Sequence, residues 1–242
     1  MPSGEAWTLR CSNSLLAALA LTLPAAAQAQ AYQCRLPQTV AVPKVTPDGP
    51  ARKAAVTGYT LALSWSPEFC RTRADEPAHA MQCSGDQGSF GLVVHGLWPE
   101  GAKGYPQWCN ARAAPTPAEV RGAMCLMPSE RLVARQWAKH GSCMVPRPEP
   151  YLKVIRILHG GLRLPDYDRI SREKGLTAGR IRAAFADANP EWPESAVGVE
   201  LNARGWLEEL RLCYSRRFRP APCPAARRGA SDNAPAKIWR GL

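Results

Sequence analysis

The sequence predicts an α+β fold, a central antiparallel sheet with helices packed around it and disulfides tying the chain together. Three observations point there. Short apolar runs with alternating or β-branched character lie toward both ends, runs with helical periodicity fill the middle, and eight cysteines follow a leader-like N-terminus. With 242 residues, 45% of them hydrophobic and only 21% charged, the chain has enough apolar surface for one substantial core, which excludes disorder throughout. Its formal charge of +11 favours polyanionic partners, nucleic acid being the commonest, although charge alone identifies none.

Residues 1–29 read as a secretory signal peptide. Arg10 precedes an apolar run from Leu15 to Leu23, and Pro24 with the small residues Ala25 to Ala29 then offers A-x-A cleavage sites. That run is about half the ~20 residues a membrane-crossing helix needs, and no later segment is long and apolar enough. After leader removal the protein is expected to be periplasmic or secreted, free of the membrane. Cys11 stands before the apolar run, the wrong side for a lipid-modified cleavage site.

Residues 30–57 carry Pro37, Pro43, Pro47 and Pro50 without hydrophobic periodicity and read as an extended or loosely held arm that Cys34 can tie down. Tyr59 to Trp65 alternates large and small side chains as a strand ending at Pro67, and Cys70 to Gly88 reads as a polar loop. Phe90 to Val94 is a second strand running into His95 and Gly96, followed by a loop from Pro99 to Pro117. Helices are expected from Pro117, from Arg131 to Lys139 behind a Ser129 cap, and over Glu149 to Leu158, where Tyr151, Val154, Ile155 and Leu158 share a face. Thr177 caps a fourth, with Ile181, Ala184 and Phe185 on one side, which Asn189-Pro190 ends. Val197 to Leu201 and Trp206 to Tyr214 flank Asn202-Ala203-Arg204-Gly205 as a hairpin. The body of the domain is taken as 58–226 and a basic tail as 227–242.

Removing the leader leaves Cys34, Cys70, Cys83, Cys109, Cys125, Cys143, Cys213 and Cys223, an even number in an exported chain, which favours four disulfides. Sequence does not choose among their 105 pairings. A zinc site is the competing reading, but no C-x-x-C pair occurs and the Cys and His spacings match no common finger or knuckle.

Chemistry concentrates in two runs. In Val93-Val94-His95-Gly96-Leu97-Trp98-Pro99-Glu100 a strand delivers a histidine to a glycine, an aromatic and a carboxylate; in Arg135-Gln136-Trp137-Ala138-Lys139-His140-Gly141-Ser142-Cys143 a helix ends on Lys139-His140. Either histidine alone has a structural explanation, and Trp98 and Trp137 are by default core fillers. Two histidines, each followed by glycine and flanked by aromatic or basic side chains, suggest a general acid-base pair.

The run His95-Gly96-Leu97-Trp98-Pro99 resembles the first active-site motif of the ribonuclease T2 family, and Trp137-Ala138-Lys139-His140-Gly141-Ser142-Cys143 resembles the second. Leu61 to Pro67 with Phe69-Cys70 is similar to the family's first strand and its cysteine, and Leu207 to Cys213 with Cys223 to its closing strand and disulfide, so the likeness spans about residues 58–224. The resemblance implies a metal-independent, cofactor-free endoribonuclease, a monomer acting on single-stranded RNA and not on DNA. One histidine takes the proton of the ribose 2′-hydroxyl and the other protonates the departing 5′-oxygen, leaving a 2′,3′-cyclic phosphate that water opens to a 3′-phosphate. By position His140 is the base and His95 the acid, and Lys139 offsets charge on the phosphorane. Trp98 and Tyr105 match aromatic positions on which a base stacks, with Glu100 able to reach a base edge or to stand as a surface residue. The pairings implied are Cys109–Cys143, Cys213–Cys223, Cys70–Cys83 and Cys34–Cys125.

Arg135 and Gln136 depart from the pattern, which commonly has His and a catalytic Glu there. Gln136 can hydrogen-bond at phosphate but cannot raise the pKa of a neighbouring histidine by ion pairing, while Arg135 can grip phosphate with two donors, so an active enzyme with an altered pH profile is expected. Two alternatives stay open: a catalytically weak or inactive RNA binder of the same fold, and a zinc-dependent secreted hydrolase using His95, His140 and a thiolate.

Overall fold

A computed structural model describes Met1 and residues 34–241. The expected leader over 1–29, Cys11 included, and the start of the arm through residue 33 lie, Met1 apart, outside the described residues.

Four strands form one antiparallel sheet in the order β2-β1-β4-β3: β1 (Val56–Trp65), β2 (Leu92–Gly101), β3 (Val197–Leu201) and β4 (Leu207–Ser215). Between β1 and β2 the chain forms two short helices, α1 (Ser66–Cys70) and α2 (Ala80–Cys83). This corrects the polar loop expected there: Pro67 starts α1 rather than merely ending a strand, and Cys70–Cys83 closes the pair of turns. The second strand is also longer than its β-branched residues suggest, running on through Pro99, so the loop begins after Gly101.

On one side of the sheet pack α3 (Pro117–Ala123), α4 (Glu130–Lys139), α5 (Pro148–Gly160), α6 (Tyr167–Ile170) and α7 (Ala178–Ala188). Their starts follow from local chemistry. Thr116 and Glu119 form a capping box on α3, the Ser129 hydroxyl accepts from the Leu132 amide at 3.3 Å on α4, and Thr177 accepts from the Arg180 amide at 3.2 Å on α7. The shared core joins Leu61, Leu63, Val94, Leu97, Leu210 and Leu212 of the sheet to Val133, Trp137, Tyr151, Ile155, Ile181 and Phe185 of the helices. In the hairpin from β3 to β4, Gly205 takes φ +78° and Asn202 Oδ1 accepts from the Arg204 and Trp206 amides.

The boundary drawn at residue 226 falls inside packed structure. A last helix, α8 (Ala225–Arg228), leads into a segment that lies along the sheet and α7, burying Ala236 and Ile238 and pairing Lys237 with Trp206 and Pro235 with Thr177. Isolated apolar residues between Arg, Pro and Gly carry no period, which is why the segment reads as a tail in sequence. The four disulfides are Cys34–Cys125, Cys70–Cys83, Cys109–Cys143 and Cys213–Cys223, the pairing that the resemblance implies. Among the described residues no helix is long and apolar enough to cross a membrane.

Candidate active site

His95 does not stand at a strand end. In the β1–β2 register Ala62 faces Gly96 and Leu63 faces Val94, so His95 is the extra residue of a β-bulge. A bulge bends its strand and re-aims one side chain, and here it turns the imidazole out of the ladder, leaving it 39% exposed in the cleft. His140 comes from the other wall. It caps the C-terminus of α4, donating its amide to the Gln136 carbonyl at 3.0 Å, and is 6% exposed.

Trp98 packs against both rings, with its centroid 5.2 Å from His95 and 5.8 Å from His140. Its indole N–H donates to Gln136 Oε1 at 2.9 Å, which fixes the ring and uses the amide oxygen. Gly96 is required at this crossing, since a Cβ there would run into the Gln136 side chain and the Trp98 indole; Gly141 likewise leaves room for the Trp137 and Tyr151 rings. Trp98 is itself only 9% exposed, so of the two expected stacking aromatics Tyr105, half-buried and 6.1 Å from His140, is the more accessible.

The histidines have opposite electrostatic surroundings. His95 Nδ1 lies 2.7 Å from Glu209 Oε2 on β4, and Arg211 Nε donates to the same carboxylate at 2.9 Å. Burial alone would raise the pKa of Glu209, but the hydrogen bond and charge of His95, with Arg211, hold it below the ordinary value. The pKa of His140 is pushed down to about 3, first by burial and then by the positive charge of Lys139, His95, Arg227 and Arg135; its Nδ1 is buried without a hydrogen-bond partner.

The cations of α4 are occupied. Asp48, in the N-terminal arm, accepts from Arg135 and from Lys139 at 3.2 Å, and also from the Trp108 indole at 3.1 Å. Those bonds outweigh the desolvation that would raise its pKa and keep Asp48 below its ordinary value. The arm is thus not loose here: Arg52 pairs with Gln107, Gln107 donates to Pro50, and the Arg52 guanidinium lies 5.2 Å over Tyr105. Glu100 presents no free carboxylate to a base, because Arg227 and Thr60 hold it.

Glu209, Arg211, Asp48 and Arg227 are the site residues that sequence reasoning missed. Glu209 and Arg211 left a signal, as charged residues at alternate positions among the leucines of β4, and Asp48 is the only acidic residue in residues 34–57. Beside His95 a cavity of about 270 Å³ opens toward Phe69, His79, Leu132 and Arg135. A larger one, about 560 Å³, lies by Trp206 and Trp239 and contains none of the motif residues. No cluster of three or more metal-ligating side chains occurs among the described residues, and each of the eight described cysteines is in a disulfide, so the thiolate of the zinc reading has no source among them.

A sequence model of the ribonuclease T2 family matches residues 57–156, which hold β1, β2, both histidine runs and most of α5. A probable ribonuclease of Haemophilus influenzae is 28% identical over 186 residues, 72% of this chain and 64% of that protein. A ribonuclease of Aeromonas hydrophila is 45% identical over 85 residues, 35% of this chain and 36% of its own length. The match thus spans less than two thirds of both relatives. Among solved structures, that of RNase NT in complex with 5′-AMP superposes with a TM-score of 0.59 at 17% identity, over 76% of this chain and 98% of that one. An RNase-related protein from Calystegia sepium gives 0.58 at 20% identity, over 75% and 96%. At those identities the structures speak for the fold, and the segment that matches the ribonuclease T2 model holds both histidine runs.

Proposed function

We propose that the protein is a metal-independent endoribonuclease that cuts single-stranded RNA by transphosphorylation. The observation that carries this reading is the pair His95 and His140, flanking one tryptophan in opposite surroundings. His140, buried among cations, is neutral over the ordinary pH range, so its Nε2, the ring nitrogen not closed off by burial, accepts the proton of the ribose 2′-hydroxyl. The 2′-oxygen attacks phosphorus and the bond from phosphorus to the 5′-oxygen breaks. His95, with Nδ1 held by the Glu209 carboxylate, gives a proton from Nε2 to that leaving oxygen. In the second step water opens the 2′,3′-cyclic phosphate with the two roles exchanged, leaving a 3′-phosphate. DNA has no 2′-hydroxyl and does not enter the first step.

Lys139 and Arg135 then serve the phosphate. Both already hold a carboxylate, Asp48, and an RNA phosphate would replace it between the same donors. Tyr105 supplies a stacking face, and Gln136 serves by fixing Trp98. The relatives named above are called ribonucleases, and the fold neighbour carries 5′-AMP, which agrees with a nucleotide substrate. Eight paired cysteines fit an oxidising compartment, the periplasm or the medium, and the reading takes the protein as a monomer needing no cofactor.

The test is cleavage of poly-ribonucleotides in EDTA by the parent, His95→Ala and His140→Ala. The parent should yield cyclic phosphates and each variant should lose at least about a hundredfold, the usual contribution of a general acid or base. Full activity in either variant, or binding without turnover in the parent, would overturn the reading, the latter in favour of an RNA-binding member of the fold.

A further inference from the structure

Arg227 lies far outside the two histidine runs, yet its side chain ends in the cleft. Its backbone is fixed from several directions. The Cys213–Cys223 disulfide and the Cys223 amide, bonded to the Ser195 carbonyl at 2.8 Å, anchor the segment before it. After it, the fully buried Arg182 guanidinium donates to the carbonyls of Arg228, at 2.9 Å, and Ala230 and to the Asp232 carboxylate. Gly198 of β3 has no Cβ at the place where the Arg227 carbonyl packs. The segment is therefore held at a set height above the sheet, and Arg227 reaches down from it.

The guanidinium meets Glu100 with two parallel bonds, Nε to Oε1 at 2.6 Å and Nη2 to Oε2 at 3.2 Å, while Thr60 Oγ1 donates to Oε1 at 2.7 Å. Its central carbon lies 5.4 Å from the Trp98 ring and 5.5 Å from the Tyr105 ring. Glu100 uses two of the five guanidinium N–H groups; both on Nη1 and one on Nη2 have no protein partner among the described residues. On the ribonuclease reading, a nucleoside whose 2′-hydroxyl is at His140 sets its base against Tyr105, whose ring centre is 6.1 Å from that of His140 and over which Arg52 and Arg227 already lie at 5.2 and 5.5 Å. The group then facing the base edge is not a carboxylate. It is a rigid fork that only donates.

We propose that Arg227 is a specificity-determining residue, selecting guanine for the nucleoside that supplies the reacting 2′-hydroxyl; this rests on the ribonuclease reading above. Guanine presents two adjacent acceptors, O6 and N7, which a guanidinium grips with two donors, whereas adenine sets its N6 amino donor beside N7 and meets Arg227 donor to donor. A purine also covers more of the Tyr105 face than a pyrimidine does. Glu100 is the positioning residue: it takes the Nε side of the guanidinium and turns the Nη1 side toward the cleft. If the arginine were removed, the carboxylate would be free to accept from adenine N6, so the preference should invert rather than only fade.

The experiment compares kcat/KM for GpU and ApU in the parent, Arg227→Lys and Arg227→Met, with thermal unfolding of each to show that it is folded. The parent should favour GpU by about tenfold or more, the ratio should collapse in Arg227→Lys, which keeps charge but loses the fork, and it should pass below unity in Arg227→Met. An equal GpU to ApU ratio in the parent, or an unchanged ratio in Arg227→Lys, overturns the proposal. A second measurement separates it from the cleavage reading: binding of 3′-GMP and 3′-AMP to the His95→Ala protein, with and without Arg227→Lys. A guanine preference that depends on Arg227 there supports the proposal even if the parent cuts neither dinucleotide, and equal binding of the two nucleotides sinks it even if both are cut.

Discussion

His95 and His140 are the same side chain placed in two kinds of ground. His95 leaves the sheet at a bulge, with a carboxylate at its back and open space in front. His140 ends a helix, buried, with Lys139, Arg135 and Arg227 around it and no acid bonded to its ring. Trp98 packs against both. In the proposed mechanism the contrast lets one residue type serve as acid and as base at a single pH, with environment, not identity, assigning the proton. On that reading the strand contributes the acid, with Glu209 of β4 behind it, and the helix end contributes the base, among the cations of the same end.

The comparison breaks most readily on the His95 side. Glu209→Gln keeps a hydrogen bond but removes the charge, and kcat/KM for RNA should fall about ten- to a hundredfold, the size of a charge-assisted bond. An unchanged kcat/KM would mean that the carboxylate does not support His95. On the His140 side, Gln136→Glu places an anion one helical turn away. Opposite charge at that range raises a histidine pKa by about 1–3 units, so the acid limb of kcat/KM should move up in pH, which a pH–rate series reads directly. An acid limb in the same place as the parent's would refute the role given to Gln136.

Stability should record the same burial. His140 and His159 are held at about 3 and about 4 in the fold against an ordinary 6.5, so the unfolded chain takes up protons first. Stability is therefore whole above about pH 6.5 and is lost as pH falls toward the folded values, by about 1.4 kcal/mol per pH unit for each histidine. His159 is outside the cleft, and His159→Leu should about halve the slope of unfolding free energy between pH 6 and 4.5 in urea titrations while sparing turnover. The smallest effect is expected at Asp48, an exposed partner of Arg135 and Lys139. Asp48→Asn frees both cations for phosphate and should lower KM for RNA a few-fold at low salt, a difference that 0.5 M salt erases.

The parts of this site legible in sequence are those written in contiguous residues. Both histidine runs, the Ser129 and Thr177 caps, the hairpin at 202–205 and the even cysteine count each have a local physical cause. The bulge at His95 was not legible, because Leu92-Val93-Val94-His95-Gly96-Leu97-Trp98 reads as one apolar run and a register shift belongs to the pair of strands. Neither were Asp48 and Arg227, whose partners are 91 and 127 residues away and which look like ordinary solvated charges in an arginine- and proline-rich chain. The short helices α1 and α2, between β1 and β2, have too few residues to show a period.

Histidine NMR titration of the intact, disulfide-bonded protein tests the central claim most directly, following the ring nitrogens of His95 and His140 with each assigned by its alanine variant. At pH 5.5 the ring of His140 should be a neutral imidazole, as its burial and cationic neighbours require. A His140 ring that is charged at that pH would contradict it.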